Sequence, residues 1–543
     1  MDKIRLPLAA SLLLTPLALP AQTAPSDARF DGARAGMMRT AEALGVPVYE
    51  DYPVYAGGAA APAPAYTAVT RAPSFQLLPP PVPEPQPAAG PAETGNAMPM
   101  GNKWGYLRIA WHAVAGQLQD SGVLFWQEKA PSFDEISRGA EAAVRASAYA
   151  PRAAGQESLL RDEGFVRELE AVSGTKFIAG NAAEPLIDGP AAFAVKDRLI
   201  RGAKRSIYAA SYAFYDDVTG QEAASMLIER RRAGVDVKVM VDDKMAGVFG
   251  GRQLKQMADA GIDVLRYSDA DRPHDYLHVK LLVVDGEAAV AGGQNYGDPY
   301  SHKGGSLKWR DTDAVIYGPA AAEAARAFAS LWNSSVKDAS RRMTAPQEVP
   351  AAAGAARVAV VPQNPPSLNP PLLTSMLKAM AGATRRINIE NAYIIAIPAV
   401  NRAVAEARAR GVEVNILTNS KESIDSDGKS MADSIVEGTK VFLAAGANVY
   451  LKQGETLHSK FLTVDGEFAT VGSYNLHPRS ERYDTECNFN VLDPAFAAGL
   501  DEAFARDIAA AKKITLKDFE GKKPGLLSRL LLKVGFGQLS HKL

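Results

Sequence analysis

Between Ser206 and Tyr267 the spacing of apolar and polar positions switches back and forth between two periods. Ser206 to Phe214 is a short run of small and apolar residues that reads as a strand. Gly220 to Ala233 carries apolar residues at helical spacing and stops at Gly234, and Val235 to Val241 alternates valine with Asp236 and Lys238 as the next strand would. A further helix ends near Gly261, and Ile262 to Tyr267 is another short strand. Strands alternating with helices in this order predict an α/β fold with a sheet of βαβ type covered by helices.

The same order returns further along. A strand is expected over Ile387 to Ile395, a helix over Ala399 to Arg410 ending at Gly411, a strand over Val412 to Leu417, and another over Ala447 to Leu451 after Gly446. The helix-stopping glycines differ by 411 − 234 = 177 and 446 − 261 = 185, so one offset with small insertions relates two copies. Pro362 to Pro371, with five prolines, reads as the boundary near the start of the second copy. The expected division is a first repeat over 161–345 and a second over 346–520.

The flanks follow other patterns. Lys3 and Arg5 precede an apolar run from Leu6 to Leu19 that ends at Leu19-Pro20-Ala21, so residues 1–21 read as a cleavable secretory signal and the protein as exported. Pro7 and Pro16 interrupt the run, which is shorter than a membrane span requires. Residues 22–100 are rich in Pro and Ala and read as a linker or tether, because such a segment buries too little apolar surface to offset its ordering entropy. Residues 101–160 form an N-terminal extension in which Trp104, Trp111 and Trp126 are expected to pack on the following domain rather than contact lipid. Residues 521–543 carry Lys522, Lys523, Arg529, Lys533 and Lys542 around Leu526, Leu527, Leu530, Leu531, Leu532, Val534 and Phe536. Such a basic, apolar-faced segment suits either peripheral contact with an anionic membrane or packing on the second repeat.

Charge narrows the choice of partner. Sixty basic and 61 acidic residues leave a formal net charge of −1, so no global positive field advertises a nucleic acid. Cys487 is the single cysteine, so an exported chain here draws its stability from its core and not from an internal disulfide.

The chemistry lies in a doubled motif. His278-Val279-Lys280, Asp285, Gly292, Gly293 and Asn295 are matched by His458-Ser459-Lys460, Asp465, Gly472, Ser473 and Asn475, at offsets 458 − 278, 460 − 280, 465 − 285, 472 − 292 and 475 − 295 that all equal 180. Residues i and i+2 of a strand share a face, so each His and its Lys point together. Leu281 to Val284 and Phe461 to Val464 then read as buried strands running into Asp-Gly turns. Gly292 and Gly472 permit close backbone approach, and Asn295 and Asn475 offer amide donors to an anion. Two His, two Lys and two Asn converging would form one phosphate-sized pocket.

Both segments resemble the H-x-K-x4-D-x6-G-[GS]-x-N signature of the phospholipase D superfamily, over roughly residues 185–520. The resemblance implies two α/β repeats related by a pseudo-twofold axis, with one active site where the motifs meet. It also implies a covalent phosphohistidine intermediate: one His attacks phosphorus, and the other protonates the leaving alcohol and then deprotonates the incoming water or alcohol. It favours His278 as nucleophile and His458 as acid and base. Lys280, Lys460, Asn295 and Asn475 would stabilise the phosphate oxygens, which leaves no role for a metal or cofactor. Asp313 and Glu486 stand where the family places the carboxylates that orient the histidines, while Asp285 and Asp465 are mainly architectural. His274, His302 and His477, which have no repeat partner, are expected to be polar residues at the cleft rim.

The flanking Gly292 to Tyr300 and Gly472 to Ser480 look like the bacterial cardiolipin synthase branch, with His477 in place of the usual acid of its G-S-x-N-x-D-P-R-S segment. A phospholipid is therefore the expected substrate, resolved by water or by a second lipid's hydroxyl. An exported nuclease or other phosphodiesterase of the same superfamily, and a non-catalytic lipid-binding relative, are the alternatives. The first would call for a basic groove with stacking aromatics, and the second for a motif that has lost a member; the sequence offers neither.

Overall fold

A computed structural model of the chain describes residues 131–520, apart from 270, 271, 273, 274, 306, 366, 396 and 427–431. The segments read as a secretory signal and a linker, the three tryptophans of 101–130, His274 and the segment 521–543 lie outside the described residues. The described residues fall within one compact unit, Ala68–Leu543. Among them no helix is long and apolar enough to cross a membrane.

The first repeat supplies strands β1 (Ile178–Ile187), β2 (Ser206–Ser211), β3 (Asp236–Asp242), β4 (Asp263–Tyr267), β5 (Tyr276–Leu277), β6 (Leu281–Val284), β7 (Ala288–Gly292) and β8 (Thr312–Tyr317). The second supplies β9 (Ala356–Gln363), β10 (Arg386–Asn391), β11 (Glu413–Asn419), β12 (Asn448–Lys452), β13 (Lys460–Val464), β14 (Phe468–Gly472), β15 (Asp484–Leu492) and β16 (Lys512–Ile514). One mixed sheet runs β16-β12-β11-β10-β13-β14-β15-β9-β1-β8-β7-β6-β2-β3-β4. Outward from the antiparallel β9/β1 seam the two halves use corresponding strands in the same order, which is the pseudo-twofold duplication expected from the sequence.

Local chemistry explains why the elements sit where they do. β2 pairs in parallel with β3, as β10 does with β11, so each needs a crossover helix, here Val218–Arg232 and Pro398–Ala409. Asp217 caps the first of these through the Gly220 amide, and Arg230, Arg231 and Arg232 meet the negative end of its dipole. The turns after β6 and β13 place Asp285 and Asp465 at φ 56° with glycine next, a geometry that suits a tight hairpin. Asp285 also accepts the amides of Lys204, Arg205 and Ser206, and Asp465 those of Thr384, Arg385 and Arg386. These two motif aspartates therefore tie strand ends together.

The halves share a core. Ala289, Ile316 and Phe328 of the first repeat lie in one buried cluster with Val358, Leu457, Phe461 and Phe489 of the second. The second repeat begins at β9, inside the expected 346–520 and ahead of the prolines, while one other boundary differs from the sequence reading. Pro362 fits inside that strand because β1 last pairs with β9 at Ile178↔Val358, so the missing N–H faces no ladder. The helix Glu163–Ser173, grouped by sequence with the first repeat, buries Phe165, Val166 and Leu169 against Leu373, Ile387 and Val464 of the second. Its apolar face is matched to that repeat's helical layer and not to the sheet that follows it in the chain.

Candidate active site

Each motif histidine is held by the other repeat. β5 runs parallel to β15, and His278 N donates to Thr485 O at 3.1 Å. On the other side Arg310 bridges Leu457 in parallel, and His458 N donates to Arg310 O at 2.7 Å. The residue before each histidine is fixed in the same way: Asp242 Oδ2 accepts Leu277 N and Asn419 Oδ1 accepts Leu457 N, both at 3.0 Å. His278 Nδ1 then lies 3.0 Å from both oxygens of Glu486, and His458 Nδ1 lies 2.8 Å from Asp311 Oδ2. A carboxylate on Nδ1 selects the Nδ1–H tautomer and leaves Nε2 with its lone pair for chemistry. Because both carboxylates cross the seam, neither repeat alone can complete a histidine–carboxylate pair.

The orienting carboxylate of His458 is thus Asp311 and not Asp313. In the hairpin registers Gly292 faces Asp313 and Gly472 faces Asn488, so Asp313 corresponds to Asn488, and Asp311, two residues earlier, corresponds to Glu486. Aligning Asp311-Thr312-Asp313 with Asp484-Thr485-Glu486 by their similar letters shifts the comparison by two. Asp313 pairs with the buried Lys196 at 2.6 Å and accepts the Gln294 amide, so its charge is already neutralised.

Similarity to known proteins agrees with this geometry. The family model described as "Cardiolipin synthase, PLD-like domain" matches residues 197–332 and again 376–508, one match to each repeat. The chain belongs to the phospholipase D superfamily. Cardiolipin synthase A of Pseudomonas entomophila is 28% identical over 351 residues, covering 63% of this chain and 71% of that protein. Cardiolipin synthase 2 of Staphylococcus epidermidis is 28% identical over 348 residues, covering 63% and 70%. A solved phosphatidylserine synthase from Haemophilus influenzae Rd KW20 shares the fold, with a TM-score of 0.56 at 17% identity over 70% of this chain and 100% of that one.

The remaining residues of this phospholipase D-type site divide between pocket and scaffold. Lys280 Nζ donates to His278 O at 2.7 Å, and Lys460 Nζ donates to His458 O and lies 3.0 Å from His458 Nδ1. Both lysines are buried beside their histidines, as their i+2 spacing predicts. Asn295 is engaged by its own repeat, with one of its two amide N–H donors used there. Its Oδ1 accepts Ala213 N at 3.1 Å and its Nδ2 donates to Tyr300 at 2.8 Å, so it braces the turn after β2. Asn475 is buried, and its Oδ1, an acceptor and so no ligand for an anion, meets no donor. A methyl group on Gly292 would fall 1.9 Å from Asp313 Oδ1, and one on Gly472 2.1 Å from Asn488 Oδ1, so both glycines are required by close approach. Ser473 and Ser480 donate to opposite oxygens of Glu486 at 2.5 and 2.6 Å. Asp311, Asp242 and Asn419 carry no motif letter, and Ser480 closes the G-S-x-N-x-D-P-R-S segment without a role being legible from it.

The aromatic surround differs between the halves. His458 is stacked on Trp309 and meets Tyr300 edge-on, whereas His278 meets Tyr212. Of the rim histidines, His477 is buried, and its ring is held inward because it caps the helix Pro478–Arg482 by accepting Ser480 N. His302 is partly buried and contacts Trp309 O at 3.0 Å. Among the described residues one trio has metal-ligand spacing, His278, Asp484 and Glu486. Its carboxylates are already engaged, Asp484 by Arg479 at 2.9 Å and Glu486 by two serines and the imidazole.

Burial dominates the electrostatics of the four motif side chains. Burial pulls His278 well below the usual histidine range, with Lys280 and Lys460 adding to the effect. Burial and then Lys460 bring His458 down to about 4 against the pull of Asp311. Burial also lowers Lys280 to about 7 and Lys460 to about 8, with Glu486 and Asp311 respectively opposing the shift. Burial raises Asp311, but its bond to His458 and the nearby lysine outweigh that and hold it below the usual carboxylate range. Burial and then Asp484 push Glu486 up to about 8, against Lys280 and the two serine hydroxyls. A phosphodiester entering between the lysines would stabilise their charge and that of one imidazolium.

Proposed function

We propose that this protein transfers the phosphatidyl group of a glycerophospholipid, by a covalent phosphohistidine, to water or to a second lipid's hydroxyl. The observation that carries this reading is the pair of histidines, each with its Nδ1 tied to a carboxylate of the opposite repeat. In the first step Nε2 of His278 attacks phosphorus and the P–O bond to the head-group alcohol breaks, with the alcohol oxygen taking a proton from His458. In the second step His458 removes a proton from the acceptor, whose oxygen attacks phosphorus as the P–N bond to His278 breaks. Lys280, Lys460 and the amide N–H groups of Asn295 and Asn475 offset the charge on the equatorial oxygens throughout. The cardiolipin synthase relatives support a lipid as the phosphodiester, and both motifs are complete, which supports a working enzyme over a binding relative.

The test is incubation with mixed phosphatidylglycerol and phosphatidylethanolamine, followed by mass spectrometry of lipids and released head groups. Transfer yields a lipid with two phosphatidyl groups plus free glycerol. Hydrolysis yields phosphatidic acid plus the head group. No change in either lipid, alongside cleavage of an oligonucleotide, would replace this reading with a nuclease.

The charged and apolar make-up of residues 521–543 and of residues 1–21 supports an exported enzyme that reaches its substrate from the membrane surface. A chain ending at Lys523 is expected to bind anionic vesicles more weakly and to lose activity on bilayers while keeping it on a soluble short-chain phosphodiester. Equal loss on both substrates would assign the segment to packing instead, and recovery of the full-length protein from the cytoplasmic fraction alone would overturn export.

A further inference from the structure

The two histidine–carboxylate pairs match in backbone and differ in what lies behind them. At the position whose carbonyl accepts the histidine amide, one half has Thr485 and the other has Arg310. Arg310 is buried, and its guanidinium reaches in two directions. Toward the site, Nη1 donates to Asp311 O at 2.6 Å and to Thr312 Oγ1 at 2.8 Å, and the same hydroxyl receives Ser459 Oγ at 2.9 Å. Away from it, Nε donates to Asp507 Oδ2 at 2.9 Å, and Nη2 lies 2.7 Å from that oxygen and 3.5 Å from Glu390 Oε1. Asp188 closes the cluster at 3.6 Å from Nη1. Asp507 and Glu390 belong to the second repeat and Asp311 to the first, so this cation ties the backbone that carries the Asp311 carboxylate to the repeat that carries His458.

We propose that Arg310 is a positioning residue that makes the two catalytic histidines inequivalent, by locking the Asp311–His458 pair as the acid–base half of the site. A buried ionic cluster is a poor device for stability, because desolvation offsets most of its attraction, but it holds a fixed geometry well. Burial pushes Glu390 up against the pull of Arg310, and Asp507, 2.7 Å from Nη2, is the carboxylate nearest the guanidinium. The guanidinium has a directional fork, used here on two carbonyl or hydroxyl acceptors and one carboxylate at once, which an ammonium cannot reproduce. Ser459, adjacent to His458, is tied into the same ring of hydrogen bonds through Thr312. The consequence is a His458 whose Nε2 is aimed at the leaving oxygen, and a His278 whose carboxylate is braced, among the described residues, by the serines of the carboxylate's own repeat for the role of nucleophile.

This inference rests on the reaction proposed above, and its test separates the two. Arg310→Lys and Asp507→Asn are assayed on two substrates with the same dihexanoyl phosphatidyl group, one esterified to glycerol and one to 4-nitrophenol, whose departure needs no acid. Steady turnover of the glycerol ester is expected to fall about 100-fold in kcat with little change in KM, while the first burst of nitrophenolate keeps its rate within about tenfold. Slow turnover after a normal burst is the signature, since His458 is still required to activate the acceptor. Burst and turnover slowed alike, an effect on KM alone, or wild-type rates in both variants would overturn the proposal. Histidine-selective NMR supplies a readout independent of turnover: the titration of His458 should move in both variants and that of His278 should not. If the unaltered protein processes neither ester, the proposed reaction fails, and an unmoved His458 titration would then defeat the positioning role separately. Failure of both variants to fold would assign the cluster to stability alone.

Discussion

Alanine at either His278 or His458 is expected to lower turnover by about 10⁴-fold or more, because one imidazole cannot be nucleophile and leaving-group acid at once. The loss should arise from chemistry and not from folding. Each ring is buried beside a lysine and a crossing carboxylate, but the backbone bonds that fasten the two segments, His278 N to Thr485 O and His458 N to Arg310 O, survive truncation of the ring. The variants should differ in what they accumulate. With an activated nitrophenyl ester, which does not need an acid to leave, His458→Ala should still form the phosphohistidine and stall there. His278→Ala should form none. Acid-labile, base-stable phosphate mapped to the peptide containing His278 would place the nucleophile, and the same label on the His458 peptide would exchange the two roles. Substantial steady turnover in either variant would remove the two-histidine mechanism altogether.

The features most legible in the sequence were those with a repeat behind them. The helix-stopping glycines Gly234 and Gly411, at φ 91° and 87°, and the tight Asp-Gly turns after β6 and β13 are local constraints, and the chain shows each of them twice. The shared seam was not legible, because β1 and β9 pair across more than 170 residues and the burial of Val358 becomes apparent only when both repeats are present. The motif likewise located His278, Lys280, His458 and Lys460 but not what bonds to them. Asn295 and Asn475 occupy equal positions in the motif, yet Ala213 N and Tyr300 claim the first while the second keeps an open acceptor. Sequence spacing along a strand tells which residues share a face. It does not tell which partner arrives from another strand.

The carboxylate of His458 is the sharpest case of that distinction, and exchanging Asp311 and Asp313 separately for asparagine tests it. Asp311→Asn keeps the size of the side chain but removes the charge that holds the Nδ1–H tautomer of His458. A drop of about 10³- to 10⁴-fold in kcat is expected, with a fold as stable as the parent's to within a small margin. Asp313→Asn should behave in the opposite sense. Its oxygen faces Lys196 at 2.6 Å in a site almost closed to water, so the amide leaves a buried ammonium without its counter-charge, at a cost of about 3–5 kcal/mol in stability. The folded fraction of that variant should still turn over, because no atom of Asp313 touches a catalytic imidazole: His458 has Asp311 and His278 has Glu486. Denaturant melts and kcat corrected for folded protein distinguish the two. Near-normal turnover in Asp311→Asn, or equal catalytic loss in well-folded Asp313→Asn, would return the orienting role to Asp313 and undo the register argument that relates Asp311 to Glu486.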